Sequence, residues 1–258
     1  MSRKEFFDVT DSVVFVAGGE GSIGAAIAAA FASRGARVAF AGINGAAAEE
    51  AAAPFKDRAI GIAYDATDED QCEAAICRTV DAFGRVDTVV NAVGGGAGKV
   101  LFDAEHYPRD AWDWIMEINL RSTLLSTQSA VRQMIAQGNG GRVVNICSVR
   151  AQLGIHQGYS AYVAAKGAVA SLTRQWATEW AHHGINVNAV SPTFVDTPQV
   201  AMLLGDPNFT SSLVARIPLS RVATTEDIVG HVLFLCSPAA GFITGQILTV
   251  DGGLTATQ

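Results

Sequence analysis

The chain has 258 residues, 49% of them hydrophobic and 17% charged, with a formal net charge of −7. That composition supplies a sizeable core and excludes a disordered chain, and the length fits one large α/β domain, residues 1–258, better than two small ones. The acidic balance, with no long basic run, argues against a nucleic acid or an anionic membrane surface as partner.

In chain order, Met1 to Thr10 is polar, and the apolar run at 13–17 is too short for a signal segment or a membrane span. That run is the first of seven expected strands, at 13–17, 37–41, 59–64, 86–91, 141–148, 185–191 and 246–250. They lack polar alternation, as strands covered on both faces do. Ala-rich helical stretches lie between them at 22–34, 44–53, 69–83, 110–137, 160–182 and 225–236. Gly35 and Gly184 follow helices where a left-handed closing residue is needed, and Thr224 precedes a helix start rich in acids. The repeated β-α unit implies one Rossmann-type, doubly wound α/β domain: a seven-stranded parallel sheet flanked by helices, with ligands at the carboxyl ends of the strands. Residues 193–216 have weak periodicity, exposed apolar residues and breakers at Pro198 and Pro207, and read as a mobile substrate lid.

Four cysteines, Cys72, Cys77, Cys147 and Cys236, form no CxxC and have no histidines at metal spacing. They read as buried thiols in a reducing compartment, so a soluble cytoplasmic protein without a metal site is expected.

The first strand runs into Ala17-Gly18-Gly19-Glu20-Gly21-Ser22-Ile23-Gly24 and then a helix. Glycines there let the backbone turn sharply and approach a pyrophosphate, whose charge meets the helix N-terminus. Dinucleotide sites often place an acid about twenty residues on, to hold the ribose hydroxyls. This chain has Gly42, Ile43 and Asn44 there: no carboxylate for NAD and no arginine for the 2′-phosphate of NADP. Glu20, in the loop, would repel a 2′-phosphate if it faced the ribose; otherwise it is a solvated loop residue. NAD is the expected cofactor, with NADP not excluded.

Tyr162 and Lys166 stand four residues apart in Tyr-Val-Ala-Ala-Lys, on an expected helix. Such a pair shares one helix face, and an ammonium beside a phenol favours the phenolate, so the phenol can exchange a proton at working pH. Alone, the pair also fits a solvated surface contact.

Taken in order, Gly18-x-x-x-Ser22-x-Gly24, Asn91-Ala92-Val93-Gly94, Asn119, Ser148, Tyr162-x-x-x-Lys166, Pro192 to Thr197 and Asp251-Gly252-Gly253 carry a resemblance to the NAD(P)-dependent short-chain dehydrogenase/reductase family over nearly the whole chain. The likeness is greatest to members acting on sugar acids and polyols, such as gluconate 5-dehydrogenases. The resemblance makes Tyr162 the catalytic acid/base and gives Lys166 two tasks: lowering the phenol's pKa and binding the nicotinamide ribose. It makes Ser148 the hydrogen-bond donor to the substrate oxygen, and has Asn119 hold a water linking Lys166 to solvent. Asn119 as a helix-kink residue and Ser148 as a strand-end hydroxyl remain the structural readings.

For the cofactor, the resemblance implies contacts from Gly18, Gly21, Ser22, Ile23 and Gly24 in the loop and from Ile43 after the second strand. Asp65 and Ala66 would lie at the adenine, with a turn cap as the other reading of Asp65. Asn91, Ala92 and Val93 would line the ribose and support the sheet. Pro192, Val195 and Thr197 would lie near the nicotinamide carboxamide. It also implies a homotetramer, with helices 110–137 and 160–182 pairing between subunits and the segment 245–254 adding a second interface. The chain departs from the family pattern at Ser22, where a glycine is usual, at Ala92-Val93, and at Thr193 after Pro192.

Between Ser148 and Tyr162, Arg150, Gln152, His156, Gln157 and Tyr159 make a polar lining that suits a sugar acid or polyol better than a steroid or fatty acyl group. Arg150 reads either as a partner for a substrate carboxylate or as a surface arginine, and His156 joins it as a substrate-side candidate. Trp176 with Trp180 reads as packing or subunit interface. The reaction expected is hydride transfer between NAD(P) and a secondary alcohol or ketone. The alternatives are a dinucleotide-sensing regulator on the same fold, which has no use for the Tyr-Lys pair, a reductase of an apolar ketone or acyl substrate, or a dehydratase or epimerase, which carries a longer C-terminal region.

Overall fold

The structure, a computed structural model, describes residues 6–156 and 158–257. Gln157, counted above among the polar residues before Tyr162, lies outside them. Seven parallel strands form one sheet: β1 (Val13–Ala17), β2 (Arg37–Gly42), β3 (Ala59–Ala63), β4 (Thr88–Asn91), β5 (Gly141–Ile146), β6 (Ile185–Pro192) and β7 (Ile247–Val250). Their order is β3-β2-β1-β4-β5-β6-β7, with the reversal between β1 and β4 that opens a ligand crevice at the carboxyl edge.

Alternation along the strands explains why helices cover both faces. Val14 and Val16 of β1 pack with Ile27, Phe31, Phe40, Ile228 and Val232, while Phe15 and Ala17 between them pack with Ile62, Ile76, Val131, Met134 and Trp176. The first set joins the sheet to α1 (Ser22–Ser33), α2 (Gly45–Ala52) and, near the far end of the chain, a helix at Thr225–Cys236. The second set joins it to α3 (Glu69–Phe83) and to two long helices described next. Phe15, Phe31 and Phe40 are fully buried, and each such side chain contributes about 1.5–3 kcal/mol through burial.

Local signals set the helix ends. Asp68 caps α3 by accepting from the Gln71 amide (3.0 Å), Glu69 and Asp70 sit in its positive first turn, and Gly84 closes it with φ 85°. The expected helix at 110–137 is unbroken but not regular. It is α4 (Arg109–Met116), a π-helical turn at Glu117–Arg121, and α5 (Ser122–Gln137). The buried Asn119 causes the change: its Nδ2 donates to the Ile115 carbonyl (3.1 Å), the acceptor a regular helix would offer to residue 119's own amide. The next long helix is α6 (Ser160–Trp180), where Trp176 and Trp180 stack with ring centroids 5.3 Å apart.

The expected lid is more ordered than its weak periodicity suggests. It carries a bridge from Val195 to Ala223 and two short helices, α7 (Ala201–Leu204) and α8 (Pro207–Val214). Leu213 and Ile217 are buried there against Phe194, Leu204 and Phe209, so tertiary packing makes up for what periodicity lacks. Helix α9 (Thr225–Cys236) starts on a reciprocal Thr224–Asp227 capping box.

Candidate active site

Two halves of the sheet edge meet across one cleft of about 1000 Å³, counting the part open to solvent. The β1–α1 turn borders it, with Ile23 in the lining and Gly18 packed on the lining residues Ala92 and Val93. The Gly18 amide donates to the Ala41 carbonyl at 2.7 Å, pinning the loop to β2, and Gly18 takes φ 78°. A methyl on Gly24 would collide with the Gly18 carbonyl, so α1 packs against the loop only without a side chain there. No side chain caps α1 at Gly21, which leaves the first-turn amides of Ser22, Ile23 and Gly24 without side-chain acceptors.

At the end of β2, Ile43 is 70% exposed and its amide donates to Glu20 Oε1 at 3.0 Å. Glu20 Oε2 is buried without a hydrogen-bond partner among the described residues. A backbone cradle too tight for a methyl, free helix amides and a carboxylate oxygen in want of a donor fit a dinucleotide: the amides suit its pyrophosphate and the carboxylate its hydroxyls.

Other expected cofactor residues divide. Ala92, Val93, Ile23, Pro192, Val195 and Thr197 line the cleft. Asn91 does not. Its Nδ2 donates to Thr127 Oγ1 and Asn145 Oδ1, both at 2.8 Å, and Asn145 passes the chain on to Thr173, so Asn91 ties β4 to β5 and the helices behind them. Ala66 packs its side chain into the core. Asp65 Oδ1 accepts from the Thr67 amide (2.8 Å) and hydroxyl (2.7 Å), the turn-capping reading.

The catalytic half is built from β5, the turn after it and α6. Ser148, Tyr162, Lys166 and Arg150 all line the cleft. Ser148 stands two residues past the end of β5 in an extended conformation, and its Oγ accepts from the Arg150 amide at 3.2 Å, so its hydroxyl caps the short turn that follows rather than the strand itself. Lys166 Nζ lies 5.7 Å from the Tyr162 ring centroid and donates to the Ile146 carbonyl at 3.0 Å. The sequence expectation that Lys166 pulls the phenol toward neutral pH is not met here. Burial pushes Tyr162 up to about 12, and it is the Ser148 hydroxyl and the Arg150 charge that draw it back down. Burial also lowers Lys166, because removal from water disfavours each group's charged form.

Asn119 reaches the same place from the π turn. Its Oδ1 accepts from the Gly95 amide (2.9 Å) and its Nδ2 donates to the Gly95 carbonyl (3.0 Å), clamping the loop after β4. A methyl on Gly94 would lie 2.7 Å from Asn119 Oδ1 and 3.2 Å from Lys166 Nζ, so the glycine is what lets these two side chains converge.

Arg150 is not the surface arginine of the bland reading. It is 5% exposed, its Nη1 donates to the Gly154 carbonyl at 3.0 Å, and its Nη2 is buried without a partner. Burial, and then the charge of Arg216, lowers its pKa. Tyr159 joins it in the cleft. Gln152 and His156 are exposed, and His156 borders a separate depression with Phe209 and Arg216, which corrects its placement beside Arg150. Sequence reasoning missed Phe194, Gln199, Val200 and Leu203, which the segment 193–216 brings to the cleft. Gln199 Nε2 donates to the Gly94 carbonyl at 3.2 Å, across 105 positions of sequence that no local pattern spans. Residues 193–216 also make the lining more apolar than the segment between Ser148 and Tyr162 alone implies.

A seven-stranded parallel sheet with a glycine cradle at the start of α1 and a Ser-Tyr-Lys cluster across the crevice defines a dinucleotide-dependent oxidoreductase. The family model described as enoyl-(acyl carrier protein) reductase matches residues 17–255. The chain is 33% identical over 260 residues to gluconate 5-dehydrogenase of Gluconobacter oxydans, covering 100% of both chains. It is 34% identical over 249 residues to an NAD-dependent glycerol dehydrogenase of Listeria innocua, covering 96% of each. A solved gluconate 5-dehydrogenase of Burkholderia cenocepacia, in complex with NADP and tartrate, superposes with a TM-score of 0.91 at 31% identity, covering 98% of this chain and 99% of that one. The chain therefore belongs to the NAD(P)-dependent short-chain dehydrogenase/reductase family, and it is an oxidoreductase acting on CH–OH groups. Among the described residues no helix is long and apolar enough to cross a membrane, and no cluster of three or more His, Cys, Asp or Glu could hold a metal ion.

Proposed function

We propose that the protein oxidises a secondary alcohol of a small anionic polyol, a sugar acid by preference, with NAD as the hydride acceptor. The observation that carries the substrate class is Arg150, a buried guanidinium with a free Nη2 in the same cleft as Ser148 and Tyr162. A buried cation without a partner is costly, and a substrate carboxylate relieves that cost. The sugar-acid, polyol and alcohol dehydrogenases among its relatives point the same way. NAD is favoured because the end of β2, Gly42-Ile43-Asn44, offers no cation to a 2′-phosphate.

When bound, the cofactor supplies the hydride acceptor and, in oxidised form, a positive charge. This chain's residues supply the rest. Ser148 Oγ hydrogen-bonds the reacting oxygen and holds the carbinol in line for transfer. Tyr162 exchanges the hydroxyl proton. Its raised pKa keeps it in the protonated form that ketone reduction needs at neutral pH, whereas alcohol oxidation draws on the small phenolate fraction and speeds up as pH rises. Arg150 supplies the positive charge that favours the phenolate, Lys166 stands beside the phenol ring on the Ile146 carbonyl, and Asn119 positions the glycine loop next to Lys166. Residues 193–216 act as the lid that closes over the substrate, through Phe194, Val200 and Leu203.

The half-buried, apolar edge strand β7 suits a subunit interface and supports a homotetramer, and four unpaired cysteines support a reducing, cytoplasmic setting. The test is NADH formation by the purified protein with a panel of sugar acids, polyols and simple secondary alcohols, wild type beside Tyr162→Phe. Turnover confined to anionic polyols and reduced at least about 10³-fold in the variant is expected, since the acid/base group is lost. Equal turnover with neutral alcohols would overturn the substrate class.

A further inference from the structure

We infer that Glu20, from the phosphate loop, is the cofactor-specificity residue of this chain. It replaces in space the carboxylate that the end of β2 lacks. The inference rests on the reading that the chain uses NAD. Three observations carry it. First, β2 ends in Gly42, with no side chain at the position from which dinucleotide-binding sheets hold the adenosine ribose. Second, the volume a side chain on Gly42 would fill is taken by the Glu20 carboxylate: a methyl built on Gly42 would collide with all three atoms of that carboxyl group. Loop and strand are thus matched, a long acid on one and a bare backbone on the other. Third, the carboxylate is fixed and incompletely satisfied. Oε1 accepts from the Ile43 amide at 3.0 Å, and Oε2 is buried with no partner. No ion pair among the described residues includes Glu20.

A carboxylate oxygen without a donor is matched by a ribose diol, which brings two hydroxyl donors. It is opposed by a 2′-phosphate, which brings negative charge and removes a donor. The exposed Ile43 beside it offers an apolar surface of the kind an adenine ring covers. Specificity that usually depends on one strand-end acid is here delivered from 22 positions earlier in the sequence.

The experiment is direct titration of NADH and NADPH into wild type, Glu20→Gln, Gly42→Asp and the double variant Glu20→Ser/Gly42→Asp, read by nicotinamide fluorescence and calorimetry, with melting curves as the check on folding. Gln keeps an acceptor for the Ile43 amide and removes only the charge. Wild type should bind NADH about 100-fold more tightly than NADPH, and Glu20→Gln should shrink that ratio about tenfold or more, mainly by tightening NADPH. Gly42→Asp alone should weaken both ligands by crowding Glu20, and the double variant should recover the NADH preference with the acid moved back to the strand. An unchanged NADH/NADPH ratio in a folded Glu20→Gln protein would overturn the role of Glu20 while leaving NAD as the cofactor. Tighter binding of NADPH by wild type would overturn the cofactor reading itself, and the assignment with it.

Discussion

The two walls of the cleft are made of different material. The wall from β1, α1 and β2 is backbone against backbone: Gly18 lies on Ala41 and Ala92, and Gly24 on Gly18, with no room for a methyl. The wall from the lid is side chain against side chain: Phe194, Leu204 and Phe209 pack with Leu213 while Met202 stays 80% exposed. A backbone wall presents amides whatever the neighbouring side chains, which suits a ligand part that never varies, such as a pyrophosphate. A side-chain wall can be rebuilt one residue at a time, which suits the part of the site that selects a substrate. Arg150, in the turn after β5, and Glu20, in the phosphate loop, differ from both: each is a charged group with a buried atom that has no partner among the described residues.

The contrast can be broken most severely at Gly24. Gly24→Ala forces backbone apart and should cost about 3 kcal/mol, the upper end for overpacking, or roughly 6–12 °C in Tm. NADH titration should show affinity lost along with it, and a variant with wild-type melting and binding would refute the backbone account of this wall. A smaller effect is expected at Arg150. In Arg150→Met, KM for an anionic polyol should rise about tenfold or more, with KM for a neutral polyol unchanged and the melting temperature held or raised, because an unpaired buried charge is gone. Equal KM changes for both substrates would assign Arg150 to packing rather than to charge recognition.

A third test sets the walls aside and reads the burial of the core behind them through pH. Burial raises Cys72 to about 11 and Tyr64 further, on the cofactor side, and raises Tyr162 and Cys236 to about 12 and Cys147 upward elsewhere. Each is neutral in the fold where the unfolded chain would already have released its proton. The folded state therefore binds more protons, and stability falls as pH rises from about 9 through the folded values. Urea unfolding at pH 7.5, 9 and 10.5 should give falling free energies, and a flat profile would contradict the burial of these groups. The smallest effect is a gain. Gly230, exposed within α9 with open space at its Cβ position, should accept alanine and stabilise by about 0.8–1 kcal/mol without touching NADH affinity. Comparing Gly230→Ala with Gly24→Ala separates a glycine kept for close approach from one that is not.

Sequence alone determined the sheet, its seven strands within about two residues and the phosphate loop, because strand burial, helix caps and glycine turns are local in the chain, while Ser148, Tyr162 and Lys166 were singled out as a set by the family resemblance of their motifs. It was short of the mark where a contact joins distant segments. The sequence offered Asn119 as a helix-kink residue, but the π turn itself follows from its side chain competing for a carbonyl four residues back in a buried place, which only the fold supplies. The short helices of the lid exist because Leu213 and Ile217 find partners in Phe194 and Phe209. The upward shift of Tyr162 is a matter of burial, which a four-residue spacing to Lys166 does not report. Only the tertiary structure set Glu20 over Gly42, left Arg150 Nη2 without a partner and brought Gln199 to Gly94. Each of these depends on which remote backbone stands a few ångströms away, and periodicity along one segment carries no record of that distance.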